Sequence, residues 1–334
     1  MDQAGRRERH SSEVIVEVLG IDVSKNQLHA ALLAGDHALT KTVPNSKTGI
    51  VQLQRWLANR KIPQVHACLE ATGGWSESVA TALHESGHVV SLVNPTRVKA
   101  FAQSEMLRTK TDRVDAGLIA RFCRMHVPEP WSPPAPEIQE LQALVRRHRA
   151  LLRLRADEEN RLDAPTLTPQ VRKSITGTVA HFDRQITRIE AAIEDVFKRY
   201  PGLRQQRDLL VTIPGIGRTT AARIIGEMPN IVEFRGAKAV GAYAGLSPRH
   251  YESGNIRWPS RLSKSGNANL RKTLYFPAIT AIRFNPVLKS LAERLRTRGK
   301  PNMVIIAAAM RKLLVLAHGV LKSRQAFNPH FATA

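Results

Sequence analysis

The period of apolar and polar positions changes along this chain, and the changes mark out its organisation. Residues 14–22, VIVEVLGID, are β-branched, of strand length, and end on an acid, which predicts a strand. Leu28–Leu33 and Leu39–Val43 are short apolar runs of the same kind, so the three read as one meander. Asn45 and Ser46 precede a helical stripe of Ile50, Leu53, Trp56 and Leu57 that stops at Lys61-Ile62-Pro63. Val65–Leu69 predicts a further strand, ending at Glu70. A helix over about 74–84 closes at Gly87, a strand spans Val89–Val93, Pro95 opens more helix, and the helical pattern runs on through 112–124. Three strands and a helix, followed by alternating strands and helices, predict an α/β domain of the RNase H type.

Trp131-Ser132-Pro133-Pro134-Ala135-Pro136 reads as a stiff, extended linker, and beyond it the period becomes helical throughout. Ile175, Val179, Phe182, Ile186, Ile189, Ile193 and Val196 repeat at alternating steps of four and three, a coiled-coil seam. Residues 138–162 are also helical and crowded with Arg146, Arg147, Arg149, Arg153 and Arg155. Pro165 and Pro169 separate the two stretches, which predicts an antiparallel helical hairpin. The arm serves as a spacer or dimer contact, and Arg146, Arg147 and Arg149 are its candidates for lying along nucleic acid. Pro201-Gly202 ends it. The expected organisation is an N-terminal extension (1–13), an α/β domain (14–130), a linker with a coiled-coil arm (131–200) and a mainly α-helical C-terminal domain (201–334). Met303–Leu321 is the most apolar late segment. Arg311 and Lys312 interrupt it, so it reads as a packed helix rather than a membrane span.

Charge narrows the class of partner. Fifty Lys and Arg against 28 Asp and Glu leave +22, spread along all 334 residues. Such a balance favours a polyanion, because each neutralised phosphate releases condensed counterions. Cys68 and Cys123 are the only cysteines and form no CxxC pair, which excludes a disulfide framework and a cysteine zinc site. The N-terminus MDQAGRRERHSSE leads into no apolar stretch of signal-peptide length. The expectation is a cytoplasmic protein acting on nucleic acid.

The acids carry the candidate chemistry of the first domain. Asp22 and Glu70 fall at strand ends, and Asp112 and Asp115 stand three apart on one helix face. A single strand-end acid is commonly a solvated turn residue, and Asp112 could simply open its helix. Four acids in this order, each at an element boundary of one α/β domain, point instead to a metal site. Neighbouring carboxylates repel unless a cation lies between them, and an all-oxygen set suits Mg²⁺. Paired ions of that kind stabilise the attacking and leaving oxygens of phosphoryl transfer.

The C-terminal domain carries a different chemistry. Residues 209–222, LLVTIPGIGRTTAA, have the look of a helix-hairpin-helix, with Gly215 and Gly217 presenting backbone N–H groups to a DNA phosphate. Tyr243–Lys272 holds Ser247, Ser253, Ser260, Ser263 and Ser265 among Arg249, His250, Arg257, Arg261, Lys264, Arg271 and Lys272. A serine hydroxyl becomes a nucleophile only when activated, and arginines stabilise a phosphoryl transition state. The residues permit a serine centre but do not choose among the five serines. A loop that merely grips phosphate through Arg249, Arg257, Arg261 and Lys264 fits them equally.

Several motifs in fixed order go further. Ile21-Asp22-Val23-Ser24-Lys25, Leu69-Glu70-Ala71-Thr72-Gly73 and Lys110-Thr111-Asp112-Arg113-Val114-Asp115-Ala116 resemble the DEDD motifs of one insertion-sequence transposase family. Ile213-Pro214-Gly215-Ile216-Gly217, Ala244-Gly245-Leu246-Ser247-Pro248-Arg249, Tyr251-Glu252-Ser253-Gly254 and Ser263-Lys264-Ser265-Gly266 resemble its C-terminal serine transposase domain. The resemblance spans roughly residues 14–325. It is to the bridge-RNA-guided recombinases, whose first domain is similar to the RuvC resolvase. It implies that Asp22, Glu70, Asp112 and Asp115 hold Mg²⁺ and that Ser253 becomes joined to DNA. It also implies a bacterial enzyme guided by a noncoding RNA whose two loops pair with donor and target DNA. By the same resemblance, dimers meet as a tetramer, the acids and the serine of one active site come from different protomers, and strands pass through a Holliday-type junction. The alternatives are a RuvC-like junction resolvase or nuclease whose Ser253 only binds phosphate, and a non-catalytic nucleic-acid-binding protein. A resolvase does not need the Ser-, Arg- and Lys-rich region after residue 201, which favours the recombinase.

Overall fold

The computed structural model describes residues 17–35, 37–106, 112–249, 252–253, 256–257 and 260–330. The extension 1–13, the start of the first expected strand, and the side chains of Asp112, Ser253 and Arg257 lie outside the described residues. The chain divides into two compact units, Met1–Pro133 and Pro134–Ala334, parting inside the proline-rich linker.

The first unit is built on one five-stranded sheet. β1 (Glu17–Val23), β2 (Gln27–Ala34) and β3 (His37–Pro44) form an antiparallel meander. β4 (Val65–Glu70) joins β1 in parallel and β5 (Val89–Val93) joins β4 in parallel, giving the order β3-β2-β1-β4-β5. Parallel joins need crossovers. These are α1 (Lys47–Ala58), capped by Ser46 accepting from the Gly49 amide, and α2 (Gly74–Glu85). α3 (Pro95–Ser104) and α4 (Asp112–His126) complete the unit. This is the RNase H-type arrangement that the hydrophobic pattern predicts.

Alternation along β1 sorts its residues between two cores. Leu19, Ile21 and Val23 pack with Leu53, Trp56 and Leu57 of α1 and Leu83 of α2. Val18 packs on the other face with Cys68, Phe101 of α3, and Leu118, Ile119 and Phe122 of α4. Each large apolar side chain buried this way contributes about 1.5–3 kcal/mol.

The second unit opens with α5 (Pro136–Arg161) and α6 (Pro169–Arg199), each begun by a proline in its first turn. Glu140 meets Arg199, His148 meets Glu190 and Arg155 meets Asp183, so the two helices run antiparallel as a hairpin. Ile175, Ile186, Ile193 and Val196 of the expected seam are buried. After it come α7 (Pro201–Val211), α8 (Arg218–Glu227), a short 3₁₀ turn at Ile231–Glu233 and α9 (Ala237–Tyr243). Four two-residue strands follow: β6 (Pro248–Arg249), β7 (Glu252–Ser253), β8 (Ile256–Arg257) and β9 (Arg261–Leu262). α10 (Ala268–Phe284), α11 (Pro286–Thr297) and α12 (Asn302–Ser323) close the unit.

One core runs through this unit. Leu141 and Val145 of α5 and Val196 and Phe197 of α6 share it with Leu210, Ile224, Leu274 and Leu314. The arm and the C-terminal region, read from sequence as separate domains, are thus joined at the arm's base. α12 is long and apolar enough to cross a membrane, yet more than half of that stretch is buried inside the protein. Leu313, Leu314 and Ala317 have no exposed surface.

Candidate active site

The register of β1 and β4 brings two of the four predicted acids together. Ile21 pairs with Leu69, and one step further along the same register sets Asp22 beside Glu70. Neighbouring strands lie about 4.8 Å apart, so the two backbones are in immediate proximity. Asp22 shares a face of β1 with Val18 and Gly20, and Glu70 shares the same sheet face with Cys68, which packs under α4. Both acids are half-buried.

Gly20 fixes how closely α4 approaches. A Cβ there would lie 2.2 Å from the Ala116 carbonyl oxygen and 2.3 Å from the Ala120 amide nitrogen. Helix backbone therefore rests directly on strand backbone, a contact only glycine allows. Gly20 pairs with Cys68, while Cys123 one turn beyond Ala120 reaches the His66 carbonyl, so α4 runs opposite to β1 and β4. Its first turn consequently lies at the strand ends that carry Asp22 and Glu70. That turn begins at Asp112 and holds Asp115, which is half-buried next to Ala116. Cys68 and Cys123 are both buried, and hydrogen bonding to Cys123 together with burial pushes the Cys68 thiol well above its ordinary value.

Gly20→Ala is expected to force α4 off the sheet. The clash is with backbone, so the variant should lose about 1–3 kcal/mol of stability, as overpacked cores do. Gly117 of α4 has open space around its Cβ position, so Gly117→Ala should be neutral or slightly stabilising. Thermal unfolding of the two variants checks this, and equal melting temperatures would contradict the close approach.

Among the described residues no three His, Cys, Asp or Glu side chains converge closely enough to hold a metal ion. Asp112, whose side chain lies outside the described residues, is the fourth member of the predicted set. Asp22, Glu70 and Asp115 supply only oxygen donors on one half-buried face, and this donor chemistry fits a hard divalent cation.

The second unit displays its serine motif on paired strands. β6 pairs with β9, placing Arg249 opposite Arg261, and β7 pairs with β8, placing Ser253 opposite Ile256. Ser253 thus ends its strand, three positions before the partner strand begins at Ile256. Like charges directly opposite on a two-stranded sheet repel. Arg249 and Arg261 are both exposed, so a bound anion would relieve that repulsion. The flanking motifs hold the base of this element. The Ser263 amide donates to the Ser247 carbonyl at 2.9 Å and the Lys264 amide to the Gly245 carbonyl at 3.2 Å. A Cβ on Gly266 would lie 2.3 Å from the Tyr243 carbonyl oxygen, so the Ser263–Gly266 segment packs backbone to backbone on the end of α9.

Two family descriptions match this chain. Residues 19–168 match the DEDD_Tnp_IS110 transposase family, and residues 207–293 match the Transposase IS116/IS110/IS902 family. The pilin gene-inverting protein of Moraxella bovis is 32% identical over 314 residues, which cover 93% of this chain and 97% of that protein. The chain belongs to the IS116/IS110/IS902 family of transposases. It is therefore a DNA transposase or recombinase. The transposase for insertion sequence element IS1328 of Yersinia enterocolitica is 26% identical, covering 78% of this chain and 82% of its own. T. thermophilus RuvC, solved in complex with a Holliday junction substrate, aligns at 19% identity and a TM-score of 0.27, covering 35% of this chain and 99% of its own.

The remaining predicted residues of this transposase are scattered. Gly215 has φ +103°, and a Cβ on it would lie 2.5 Å from the Ala281 Cβ, so it is needed for packing on α10. Gly217 is exposed and caps α8. Arg147 is exposed, but Arg146 and Arg149 both reach the Glu227 carboxylate, at 3.8 and 3.7 Å. Glu227 is 4% exposed. Asn267 Nδ2 donates to its Oε2 at 3.2 Å, and Tyr243 Oη donates to its backbone carbonyl at 3.0 Å. Beside it, His148 bridges Glu190 at 3.0 Å and Arg223 at 3.1 Å, and burial pushes its pKa down. Sequence reasoning missed this network. Its one signal was a lone acid near the end of an apolar helix, and that does not reveal which arginines will meet it.

Arg149→Ala leaves a buried carboxylate with one arginine fewer and should cost about 1–3 kcal/mol of stability. Arg147→Ala should leave the melting temperature unchanged and, if α5 lies along nucleic acid, weaken binding in a salt-dependent way. Thermal unfolding and binding isotherms at two salt concentrations separate these outcomes.

Proposed function

We propose that this transposase is an RNA-guided recombinase that cuts and rejoins donor and target DNA through a covalent link at Ser253. The observation that carries the reading is the separation of two chemistries. Asp22, Glu70 and the Asp115 turn stand at one end of the sheet in the first unit, and Ser253 ends a paired strand in the second. A nuclease site of carboxylates alone would need no such second element.

Ser253 Oγ attacks a backbone phosphorus. An O–P bond forms to the serine as the bond to a deoxyribose oxygen breaks. The serine proton leaves to solvent and the released oxygen takes one up. One phosphodiester replaces another, so reversal rejoins DNA without an external energy source. When bound by Asp22, Glu70, Asp112 and Asp115, Mg²⁺ supplies charge stabilisation to the attacking and leaving oxygens. Arg249, Arg257, Arg261 and Lys264 surround Ser253 in sequence and would bind the phosphates on either side of the break. Gly217 and the first turn of α8, as the second half of a helix-hairpin-helix, would hold a further phosphate. The hairpin of α5 and α6, as a coiled-coil arm, would join protomers into the dimer and the tetramer, in which acids of one copy meet Ser253 of another. The net charge of +22 suits an enzyme that holds guide RNA and DNA together in the bacterial cytoplasm.

The guide is tested by sequencing the RNA that copurifies with the protein from cells carrying its intact insertion sequence. One RNA of defined sequence is expected, and its removal should abolish recombination. Heterogeneous RNA, or recombination that survives nuclease treatment, would remove RNA guidance from the account.

A further inference from the structure

The outward face of α10 has no role in the mechanism above, yet its composition is unusual. Leu270, Leu274, Ala278 and Ala281 face the core. The opposite arc holds Lys272, Phe276, Thr280 and Arg283, and Phe284 is exposed at the helix's last residue, about 80° round the axis from Phe276. Phe276 is 74% exposed and Phe284 69% exposed. The edge of the Tyr275 ring meets Phe276 at a centroid distance of 5.2 Å and limits its movement. The helix contains no acid, and residues 254–334 hold fifteen Lys and Arg against the single acid Glu293.

We propose that this face is a stacking platform for an unpaired strand of the recombining DNA. Two aromatic rings about 12 Å apart along the helix offer π-faces to successive stretches of bases, while Lys272 and Arg283 lie within reach of the backbone phosphates. Every base has a π-face, so such a platform holds a strand of any sequence. A second copy of the chain is a poor occupant, because its Lys272 and Arg283 would confront their own counterparts with no acid between them. The occupant is DNA rather than RNA because α10 directly follows the segment that carries Ser253, and strands must come apart there to be exchanged. The inference rests on the proposed reading that strands part at the Ser253 segment, and not on the Ser253 hydroxyl itself being the nucleophile.

The test uses the full-length protein and a single strand containing 2-aminopurine, a duplex of the same sequence, and the matching RNA. Wild-type protein should quench 2-aminopurine in the DNA single strand. Phe276→Ala and Phe284→Ala should each weaken single-strand DNA binding by roughly 5- to 100-fold and duplex binding by less than about threefold, with an unchanged salt slope. Phe276→Trp should retain affinity and show quenched tryptophan emission, a readout that holds even if an alanine variant folds poorly. Ser253→Ala protein should quench normally, which keeps failure of the serine mechanism distinct from failure of the platform. The proposal is overturned if wild-type protein leaves 2-aminopurine unquenched, or if the alanine variants lose duplex and single-strand affinity equally. It is also overturned if they lose affinity for RNA alone, or if the oligomer dissociates with strand affinity intact.

Discussion

Asp22→Asn protein is expected to bind nucleic acid within a few-fold of wild type and to cut DNA at least on the order of 10²–10³-fold more slowly. The substitution keeps the shape of the side chain and removes one charge from a pair of adjacent strand ends, where Asp22 stands beside Glu70. The basic surfaces of the second unit are untouched, so affinity should persist. On the proposed mechanism the substitution removes a ligand for the cation, and electrostatic stabilisation of this kind is worth about 10²–10³ in rate for a single well-placed group. Asp115→Asn should behave alike, because Asp115 sits in the α4 turn that Gly20 admits to the sheet. Metal dependence gives a second readout. Mg²⁺ should restore cutting to wild-type protein after chelation and have little effect on either variant, whereas Ca²⁺ should support assembly better than cleavage. A variant that melts far below wild type would signal a structural role instead, since removing one of two like charges should cost little stability.

How far the site could be read from the sequence depended on how local its signals were. The β-branched run at 14–22 and the cap Ser46 are local, and so is the three-residue step from Asp112 to Asp115. All of these fixed elements and faces without tertiary information. That Asp22 stands beside Glu70 was not local, because a parallel register joins residues 48 apart and follows only from the whole sheet. Gly20 reads simply as a weak point in a strand until α4 is known to rest on it. The cations of α5 show the reverse. Their density suggested a nucleic-acid surface, yet Arg146 and Arg149 also reach Glu227, a carboxylate 81 and 78 positions away that propensity and period do not connect to them. The arm's base was hidden for a related reason. An apolar seam looks the same whether it faces one partner helix or a larger core, and here it does both. Among the five serines, only the resemblance selects Ser253.

Ser253→Ala should leave RNA and DNA binding intact and abolish recombination, a loss exceeding about 10⁴-fold, as removal of a covalent nucleophile typically gives. Ser260→Ala, Ser263→Ala and Ser265→Ala should lose far less. Ser263 acts through its backbone amide, which alanine keeps, and the Ser265 hydroxyl only donates to the Ser263 carbonyl at 3.4 Å. If acids and serine of one active site come from different protomers, inactive Ser253→Ala and Asp22→Asn proteins should regain part of the activity when mixed. Complementation requires that each copy supply what the other lacks, so a site wholly within one chain would give none.

The most direct measurement is the capture of the covalent intermediate itself. Labelled DNA carrying the recombination site is incubated with protein, the RNA that copurifies with it and Mg²⁺, and resolved on a denaturing gel. Wild-type protein should give a slow, protease-sensitive band whose peptide maps to Ser253, and Ser253→Ala should give none while still shifting the DNA under native conditions. An adduct that persists in Ser253→Ala, or normal recombination by that protein, would contradict the serine mechanism.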